Sequence, residues 1–262
     1  MPMALTGGDI LLRRSHEGAV AELTLSRPER MNAVTWEMRA RMAERFAEID
    51  ADERVKVVVI GAEGEHFSPG GDIPGFLEVE PVGFTDLGEN ITAPARSPKP
   101  VIAAIDGYCF GVGFELALSC DIRLATRRAE FAFPEIKLGM IPGSGGTQRL
   151  SRLIGGSRAR YHIMTGERIP AAKAADWGIV ASVAENAEEL QIEVSRLVGV
   201  LLGLSPLALR TAKEVLALGA DAPLATGIEL ERKSYAMLRA SQDFAEGVRA
   251  FAEKRSPRFT GR

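Results

Sequence analysis

The spacing of apolar residues divides the 262-residue chain into a strand-rich first half and a largely helical second half. Alternating or continuous apolar runs, which are typical of half-buried and buried strands, occur in five segments of the first half. These segments lie at 23–25, 55–60, 101–105, 122–124 and 131–133. We therefore expect a sheet of short strands with helices between some of them.

Two helices are predicted among these strands. Thr35 is a residue type that caps helices, and four apolar residues follow it at helical spacing. They are Met38, Met42, Phe46 and Ile49. A second helix is expected to start near Gly113 and to run through Leu118.

From about Gly145 onward, nearly all signals are helical. Ser205 followed by Pro206 predicts a helix start, and Ser241 is placed to cap the last helix. Apolar residues form a stripe along these C-terminal helices: Leu224, Ile228, Tyr235, Leu238, Phe244, Val248 and Phe251. The pattern predicts an α/β layered core over residues 1–200 and a helical region over residues 201–262, packed on the core or on a neighbouring subunit.

Composition and charge narrow the functional classes. The 32 basic and 35 acidic residues give a net charge of −3, so no cationic surface for nucleic acid or for a membrane is expected. Two cysteines fit a reducing, cytoplasmic compartment, and neither a secretory leader nor a membrane-spanning run is visible. The three histidines lack metal-ligand spacing, and the glycine clusters match neither a phosphate-binding loop nor a dinucleotide fingerprint. Any chemistry is therefore expected to use carboxylates and backbone amides.

Two glycine-rich stretches are candidates for binding. Residues 66–73 contain adjacent glycines, which let the backbone approach a ligand closely, but a tight turn with Asp72 as a cap explains them as well. In residues 107–117 a strand runs through a glycine-rich turn into a helix with Glu115 in its first turn. The free amides of that helix N-terminus suit an oxygen that develops negative charge. Close packing of helix on sheet, with Glu115 at the surface, is the alternative.

A third stretch, residues 131–147, contains a second carboxylate. Glu135 follows Glu115 by twenty residues, which is enough for a helix, a strand and a return to the same cleft. Two carboxylates that face one small volume can hold a water molecule and pass protons in both directions. The alternative is that Glu135 caps the following turn or pairs with Arg149.

In this order, the three stretches resemble the crotonase, or enoyl-CoA hydratase/isomerase, superfamily. The resemblance covers essentially the whole chain, from Arg27-Pro28-Glu29-Arg30-Met31-Asn32-Ala33 to the tail at 251–259. It implies an α/β fold of the ClpP/crotonase type, with a repeated ββα core and a C-terminal helical trimerisation region. It also implies a homo-oligomer, either a trimer or a hexamer.

The resemblance implies an acyl-CoA thioester as substrate, with its carbonyl oxygen held between the N–H groups of Gly71 and Val112. Both glutamates of the family's hydratase branch have counterparts here. The implied reaction is syn addition of water to an enoyl-CoA, in which Glu115 activates the water and Glu135 protonates the α-carbon. Coenzyme A enters as part of the substrate, and neither a cofactor nor a metal is required. Contacts to CoA and the acyl group are expected, largely from the backbone, at Met31, Ala33, Ser68, Gly70, Asp72, Ile73, Gly111 and Pro134.

Departures from the family pattern concern the acyl group. Val112 stands where a small residue is usual, and Phe114 and Phe133 add bulk beside the glutamates. Pro69 removes one backbone donor near the adenine. We expect a short, branched or otherwise unusual acyl group, with the stretch 74–92 setting the specificity.

Three alternatives remain at this level. An isomerase of the family operates with a single carboxylate that matches Glu135, and a hydratase/hydrolase of the methylthioacryloyl-CoA or carnitinyl-CoA type would use the same site. A non-catalytic CoA-binding or RNA-binding member is the remote alternative. The presence of both glutamates favours hydration.

Overall fold

A six-stranded sheet forms the centre of the protein in the computed structural model, which describes residues 8–74 and 89–262. Its strands are β1 (Asp9–Ser15), β2 (Val20–Ser26), β3 (Val57–Ala62), β4 (Val101–Ile105), β6 (Ile122–Thr126) and β9 (Ser182–Ala184). They are ordered β1-β2-β3-β4-β6-β9, with β1 antiparallel to β2 and the other neighbours parallel. A smaller sheet contains β5 (Tyr108–Phe110), β7 (Glu130–Ala132) and β8 (Ile169–Pro170).

Helices cover both sheets and extend beyond them at the C-terminus. They are α1 (Trp36–Ala51), α2 (Val112–Ser119), α3 (Gly146–Ile154), α4 (Gly156–Thr165), α5 (Ala171–Asp176), α6 (Ala187–Leu202), α7 (Pro206–Ala220), α8 (Leu224–Arg239) and α9 (Gln242–Ala252). A 3-10 turn at Pro134–Leu138 connects the small sheet to the approach to α3.

Both faces of the large sheet are buried at its centre, which is why the central strands β3 and β4 are almost continuously apolar in sequence, whereas β2 and β6 also contain polar residues. One face packs on α6 through Leu190, Val194 and Val198. The opposite face belongs to the main core together with α1, α2 and the small sheet. The main core is therefore shared by every element that leads into the glycine-rich stretches.

The predicted helix starts are confirmed by their caps. The Thr35 Oγ1 accepts the N–H of Met38 at 3.2 Å, and the four apolar residues predicted for one face of α1 are all buried. Ser205 caps α7, and Ser241 caps α9 in the same way. The second helix is one residue longer at each end than predicted, because Gly111 rather than Val112 is its N-cap.

The expectation of an almost purely helical second half is wrong in two places. Strands β8 and β9 lie beyond Gly145, and each contributes only two or three residues to a sheet edge. Strand β1 is a further element that the apolar pattern did not reveal, because its burial alternates irregularly between Ile10 and Ser15. Such short edge strands form where a neighbouring strand is already in place.

The three C-terminal helices bury few side chains in this chain. No residue of α8 is buried, and α7 buries only Thr211. Within the described ranges no single helix has the length and hydropathy to cross a membrane, and α6 with α7 meets those criteria only as a pair bent by 106°. The boundary predicted near residue 200 falls at the end of α6 and stays a prediction.

Candidate active site

Two glycine-rich turns meet at the start of α2. Gly70 and Gly111 have φ values of +119° and +50°, a region that other residues rarely adopt. A Cβ added to Gly111 would lie 3.5 Å from the Gly70 Cα, and one added to Gly113 would lie 2.6 Å from the Ser68 Cβ. The backbones approach closely because side chains are absent, so the packing explanation holds for Gly113.

The N–H groups of Gly71 and Val112, which form the predicted oxyanion hole, do not take part in the hydrogen bonds of the bridge and the helix to which these residues belong. In the bridge between Val34 and Gly71, the Val34 N–H donates to the Gly70 oxygen and its oxygen accepts the Asp72 N–H. The Gly71 N–H therefore points away from Val34. Val112 is the first residue of α2, and the first N–H groups of a helix have no intrahelical acceptor.

Parallel pairing of β5 with β7 brings the second glutamate to these turns. Phe110 pairs with Ala132, and the Gly111 N–H donates to the Ala132 oxygen at 2.9 Å. The chain beyond β7 then turns at Pro134, which starts the 3-10 turn, and places Glu135 above the N-cap of α2. A Cβ at Gly111 would lie 3.0 Å from Glu135 Oε1.

Glu115 is a buried carboxylate held by backbone donors. Its Oε1 accepts the N–H of Ser144 at 2.6 Å and the N–H of Gly146 at 2.9 Å, in the loop before α3. The side chain is only 2% exposed, so the alternative of a surface residue that complements the helix dipole is wrong. Burial raises the pKa of Glu115, while the two N–H groups and the charge of Arg39 act to lower it.

Glu135 has a different environment. Its Oε2 is buried and has no hydrogen-bond partner in the described part of the chain. Burial, with a further contribution from the charge of Glu115, raises the pKa of Glu135 to about 7. Arg149 does not pair with it as the alternative required, since its Nη1 donates to the Ser144 oxygen at 3.2 Å.

Arg39 is a charged residue of the site that the sequence analysis missed. It lies on α1, it is 7% exposed, and its Nη1 contacts the Ser144 Oγ at 3.3 Å. Both glutamates act on its pKa, which burial lowers to about 10, so the side chain remains a cation at neutral pH. One feature of the sequence indicated that Arg39 could be buried. It lies three residues before Met42 and seven before Phe46, which places it beside the buried face of α1.

The predicted substrate contacts fall into two groups. Met31 and Ile73 are each 45% exposed and can line a cleft. Others are engaged within the protein: the Ser68 Oγ donates to the Asn32 oxygen at 2.9 Å, and the Asp72 carboxylate lies 3.0 Å from Arg27 Nη1. That ion pair uses Asp72 Oδ2, and the segment that Asp72 was considered to cap continues outside the described residues from 75 onward.

Further predicted contacts lie close by. Arg27 Nη1 also reaches the Ala33 oxygen at 3.3 Å. Gly70, Gly111 and Pro134 belong to the turns already described. The stretch expected to set acyl specificity, 74–92, lies largely outside the described residues, because 75–88 are not among them.

Phe114 and Phe133, which were expected to add bulk beside the glutamates, lie in the main core. Both rings are buried in the main core, 4.7 Å apart between centroids and nearly parallel. A Cβ added to Gly146 would lie 2.5 Å from the Phe133 ring. The ring therefore supports the loop whose N–H groups hold Glu115.

Across residues 8–74 and 89–262, no group of three histidine, cysteine or carboxylate side chains is arranged to hold a metal ion. Both cysteines are buried and unpaired. The polar groups that converge on the site are backbone N–H groups, two carboxylates and the Arg39 guanidinium.

Comparison with known proteins gives the class of this site. The family model for enoyl-CoA hydratase/isomerase matches residues 15–262. The chain is 36% identical to the 2,3-dehydroadipyl-CoA hydratase of Escherichia coli over 251 residues, covering 95% of this chain and 98% of that protein. It is 37% identical over 263 residues to the carnitinyl-CoA dehydratase of Salmonella typhi, covering 96% and 98% of the two chains.

The fold agrees with these sequences. An enoyl-CoA hydratase subunit from Geobacillus kaustophilus superposes with a TM-score of 0.90 at 41% identity, covering 97% of this chain and 98% of that one. The chain belongs to the enoyl-CoA hydratase/isomerase family and has the crotonase fold. It is an enzyme of that family.

Proposed function

We propose that this enzyme adds water to the α,β double bond of an enoyl-CoA thioester and so forms a 3-hydroxyacyl-CoA. The observation that carries the proposal is the unequal environment of Glu115 and Glu135 beside one pair of glycine turns. Relatives named as a hydratase and a dehydratase are consistent with this reaction in either direction.

The two glutamates divide the proton transfers. Burial raises the pKa of Glu115, but the two backbone N–H groups that donate to it and the charge of Arg39 oppose that rise, so we assign Glu115 the removal of a proton from water. A pKa of about 7 leaves much of Glu135 protonated at neutral pH, so we assign it the donation of a proton to the α-carbon. These assignments agree with those implied by the family resemblance.

The step balances as follows. The water oxygen bonds to the β-carbon while its proton passes to Glu115, and the π electrons move onto the thioester oxygen. The enolate-like oxygen accepts hydrogen bonds from the N–H groups of Gly71 and Val112. Its electrons then return as the α-carbon takes the proton of Glu135. Coenzyme A takes part only as a component of the substrate.

The test follows the absorbance of the conjugated thioester in crotonyl-CoA. We expect rapid loss of the absorbance with the wild type and no release of free thiol. Glu115→Gln and Glu135→Gln are each expected to lower kcat by about 10²–10⁴-fold. Glu130→Gln is the matched control, because Glu130 lies in the same segment but pairs with Arg168 at 2.7 Å. Full activity of either active-site variant would refute the assignment.

A β,γ-enoyl-CoA tests the isomerase alternative. An isomerase needs only one carboxylate to move a proton between carbons, so Glu115→Gln would keep its activity if that were the main reaction. Comparing crotonyl-CoA with long-chain and branched enoyl-CoAs tests the preference for short or unusual acyl groups. A clear preference for long chains would contradict it.

We further propose a homo-oligomer, a trimer or hexamer, formed through the C-terminal helices. Large apolar side chains are exposed on α7, α8 and α9: Leu216, Leu218, Leu224, Ile228, Tyr235, Met237, Phe244, Val248 and Phe251. An exposed apolar area of this kind is typical of an interface. A cytoplasmic location remains our proposal from cysteine content.

A further inference from the structure

We propose that Arg39 is a positioning residue for the glutamate pair: its buried guanidinium braces the Ser144 end of the loop that holds Glu115 and supplies a positive charge that favours the carboxylate form of Glu115. The inference rests on the proposed hydration, because it concerns the base of that reaction. It assigns a function to a side chain of α1, the helix that contributes no proposed reacting group.

The position of Arg39 is set from several sides. Helix α1 is fixed in the core by Met38 and Met42, on either side of Arg39 in sequence, both with no exposed surface. The guanidinium lies over the Trp36 ring, with 5.0 Å between its Cζ and the ring centroid. Its Nη1 contacts Ser144 Oγ at 3.3 Å. These contacts fix the conformation of the Arg39 side chain, which would otherwise be mobile at an exposed position.

The contact with Ser144 connects Arg39 to Glu115. Ser144 presents its hydroxyl to Arg39 and its N–H to Glu115 Oε1, at 3.3 Å and 2.6 Å respectively. A change in the position of Ser144 therefore changes both contacts. The geometry makes Ser144 a bridge between the cation on α1 and the carboxylate on α2.

The burial of Arg39 also requires a reason. A cation loses its hydration when it is 93% buried, and the Arg39 Nε has no hydrogen-bond partner within the described residues. Such a charge is tolerated when an opposite charge compensates it. Glu115 and Glu135 are the carboxylates that act on it. A purely structural side chain at this position would be served as well by an apolar one.

The charged groups that act on one another come from four structural elements and from the segment before β4. They are Arg39 on α1, Glu115 on α2, Glu135 in the 3-10 turn and Arg149 on α3, with Arg96 facing Arg149 from the segment before β4. Arg149 is only partly buried and donates to the Ser144 oxygen. Arg39 is thus the cation that acts on both glutamates from inside the core.

Removing the positive charge has a defined direction. Arg39 lowers the pKa of each glutamate, so its loss raises both values. Arg39 and Glu115 are connected through Ser144, so we expect a rise of up to about one unit, the lower end of what a nearby opposite charge produces. Because the base must be ionised to act, the acidic limb of the kcat/KM profile is expected to move to higher pH by up to about one unit.

The experiment compares Arg39→Met, Arg39→Lys and Arg39→Gln in the full-length enzyme. The side-chain carboxyl carbons of glutamate are labelled with ¹³C, and their resonances are followed by NMR as a function of pH to give the titration midpoints. The variants Glu115→Gln and Glu135→Gln assign the two resonances of interest. Arg39→Met is expected to raise the Glu115 midpoint by up to about one unit. Arg39→Lys, which keeps a cation, is expected to titrate near the wild type but with lower kcat. Arg39→Gln, which keeps a donor without charge, is expected to titrate like Arg39→Met.

Arg41→Met is the matched control, since Arg41 lies two residues along α1 at the surface, paired with Glu44. It should leave both midpoints unchanged. If Arg39→Met does not fold, the Lys and Gln variants give the same contrast. Unshifted glutamate midpoints in every folded uncharged variant would overturn the proposal.

The titration needs no turnover, which separates the two proposals. A shifted midpoint in an enzyme that leaves crotonyl-CoA intact would refute the proposed hydration and retain the role of Arg39. An unshifted midpoint in an enzyme that hydrates crotonyl-CoA would refute the role of Arg39 and retain the proposed hydration.

Discussion

Replacing Gly111 with alanine isolates the geometry that places Glu135. Gly111 has φ +50° and ψ −126°, which costs about 1–3 kcal/mol for a residue with a side chain. In addition, the new Cβ would lie 3.0 Å from Glu135 Oε1, which is several tenths of an ångström closer than ordinary contact. The substitution therefore adds a displacement of the proposed proton donor to a backbone strain.

Gly155→Ala supplies a matched strain without that displacement. Gly155 also precedes a helix with positive φ, at +83°, and a Cβ there meets nothing within 4 Å. Each variant should lose about 1–3 kcal/mol of stability. For a chain of this size, that corresponds to a fall in Tm of roughly 2–10 °C.

Activity should separate the two variants. A misplacement of about 1 Å can cost about 10²-fold in rate, so we expect Gly111→Ala to lose about 10- to 100-fold in kcat/KM for crotonyl-CoA. Gly155→Ala should lose less than about 3-fold when assayed well below its Tm, because no proposed reacting group lies at that turn. Tm is measured by thermal unfolding and kcat/KM by loss of thioester absorbance. Equal activity of the two variants would refute the argument from the Glu135 contact.

Three further predictions concern stability and assembly. The pKa of Glu135 in the folded state is raised to about 7, so the native state loses stability relative to the unfolded chain as pH rises from about 4.5 through 7. Glu135→Gln should therefore raise Tm more at pH 8 than at pH 5. An equal change in Tm at both pH values would contradict the assigned pKa. Thr35→Ala removes the cap of α1 and should cost about 1 kcal/mol in denaturant unfolding, whereas no loss would show that the bond to Met38 is not stabilising. Light scattering should give three or six chains, and Phe251→Glu, at a side chain 88% exposed, should reduce that mass with helix content unchanged; a monomeric wild type would exclude the proposed interface.

Local features of the fold were predictable because their signals lie within a few residues. Thr35, Ser205 and Ser241 cap the predicted helices, since a hydroxyl needs only the N–H three residues ahead. The strand pairs at β8 and β9 were not predictable, because two or three residues carry too little periodicity and depend on a partner far away in sequence.

The candidate site shows the same limit. The two glutamates and the glycine turns were identifiable by type and by resemblance, but the Ser144 and Gly146 donors lie 29 and 31 residues beyond Glu115. Arg39 lies further still, 105 residues from its Ser144 contact. No short sequence pattern encodes these contacts. An arginine beside the apolar face is common in amphipathic helices, so Arg39 did not stand out in the sequence.

The proposed difference between the glutamates depends mainly on backbone. Two N–H groups favour the charged form of Glu115, whereas Glu135 has a buried oxygen without a partner and stays partly neutral. Both environments require chain segments to pass where a side chain would not fit, at Gly111 and at Gly146. Exchanging one carboxylate for an amide removes one proton transfer, but filling either glycine displaces a carboxylate or its donor and leaves every reacting group present. Activity lost in that way, with both glutamates intact, would show that the acid and base roles are set by the turns around them.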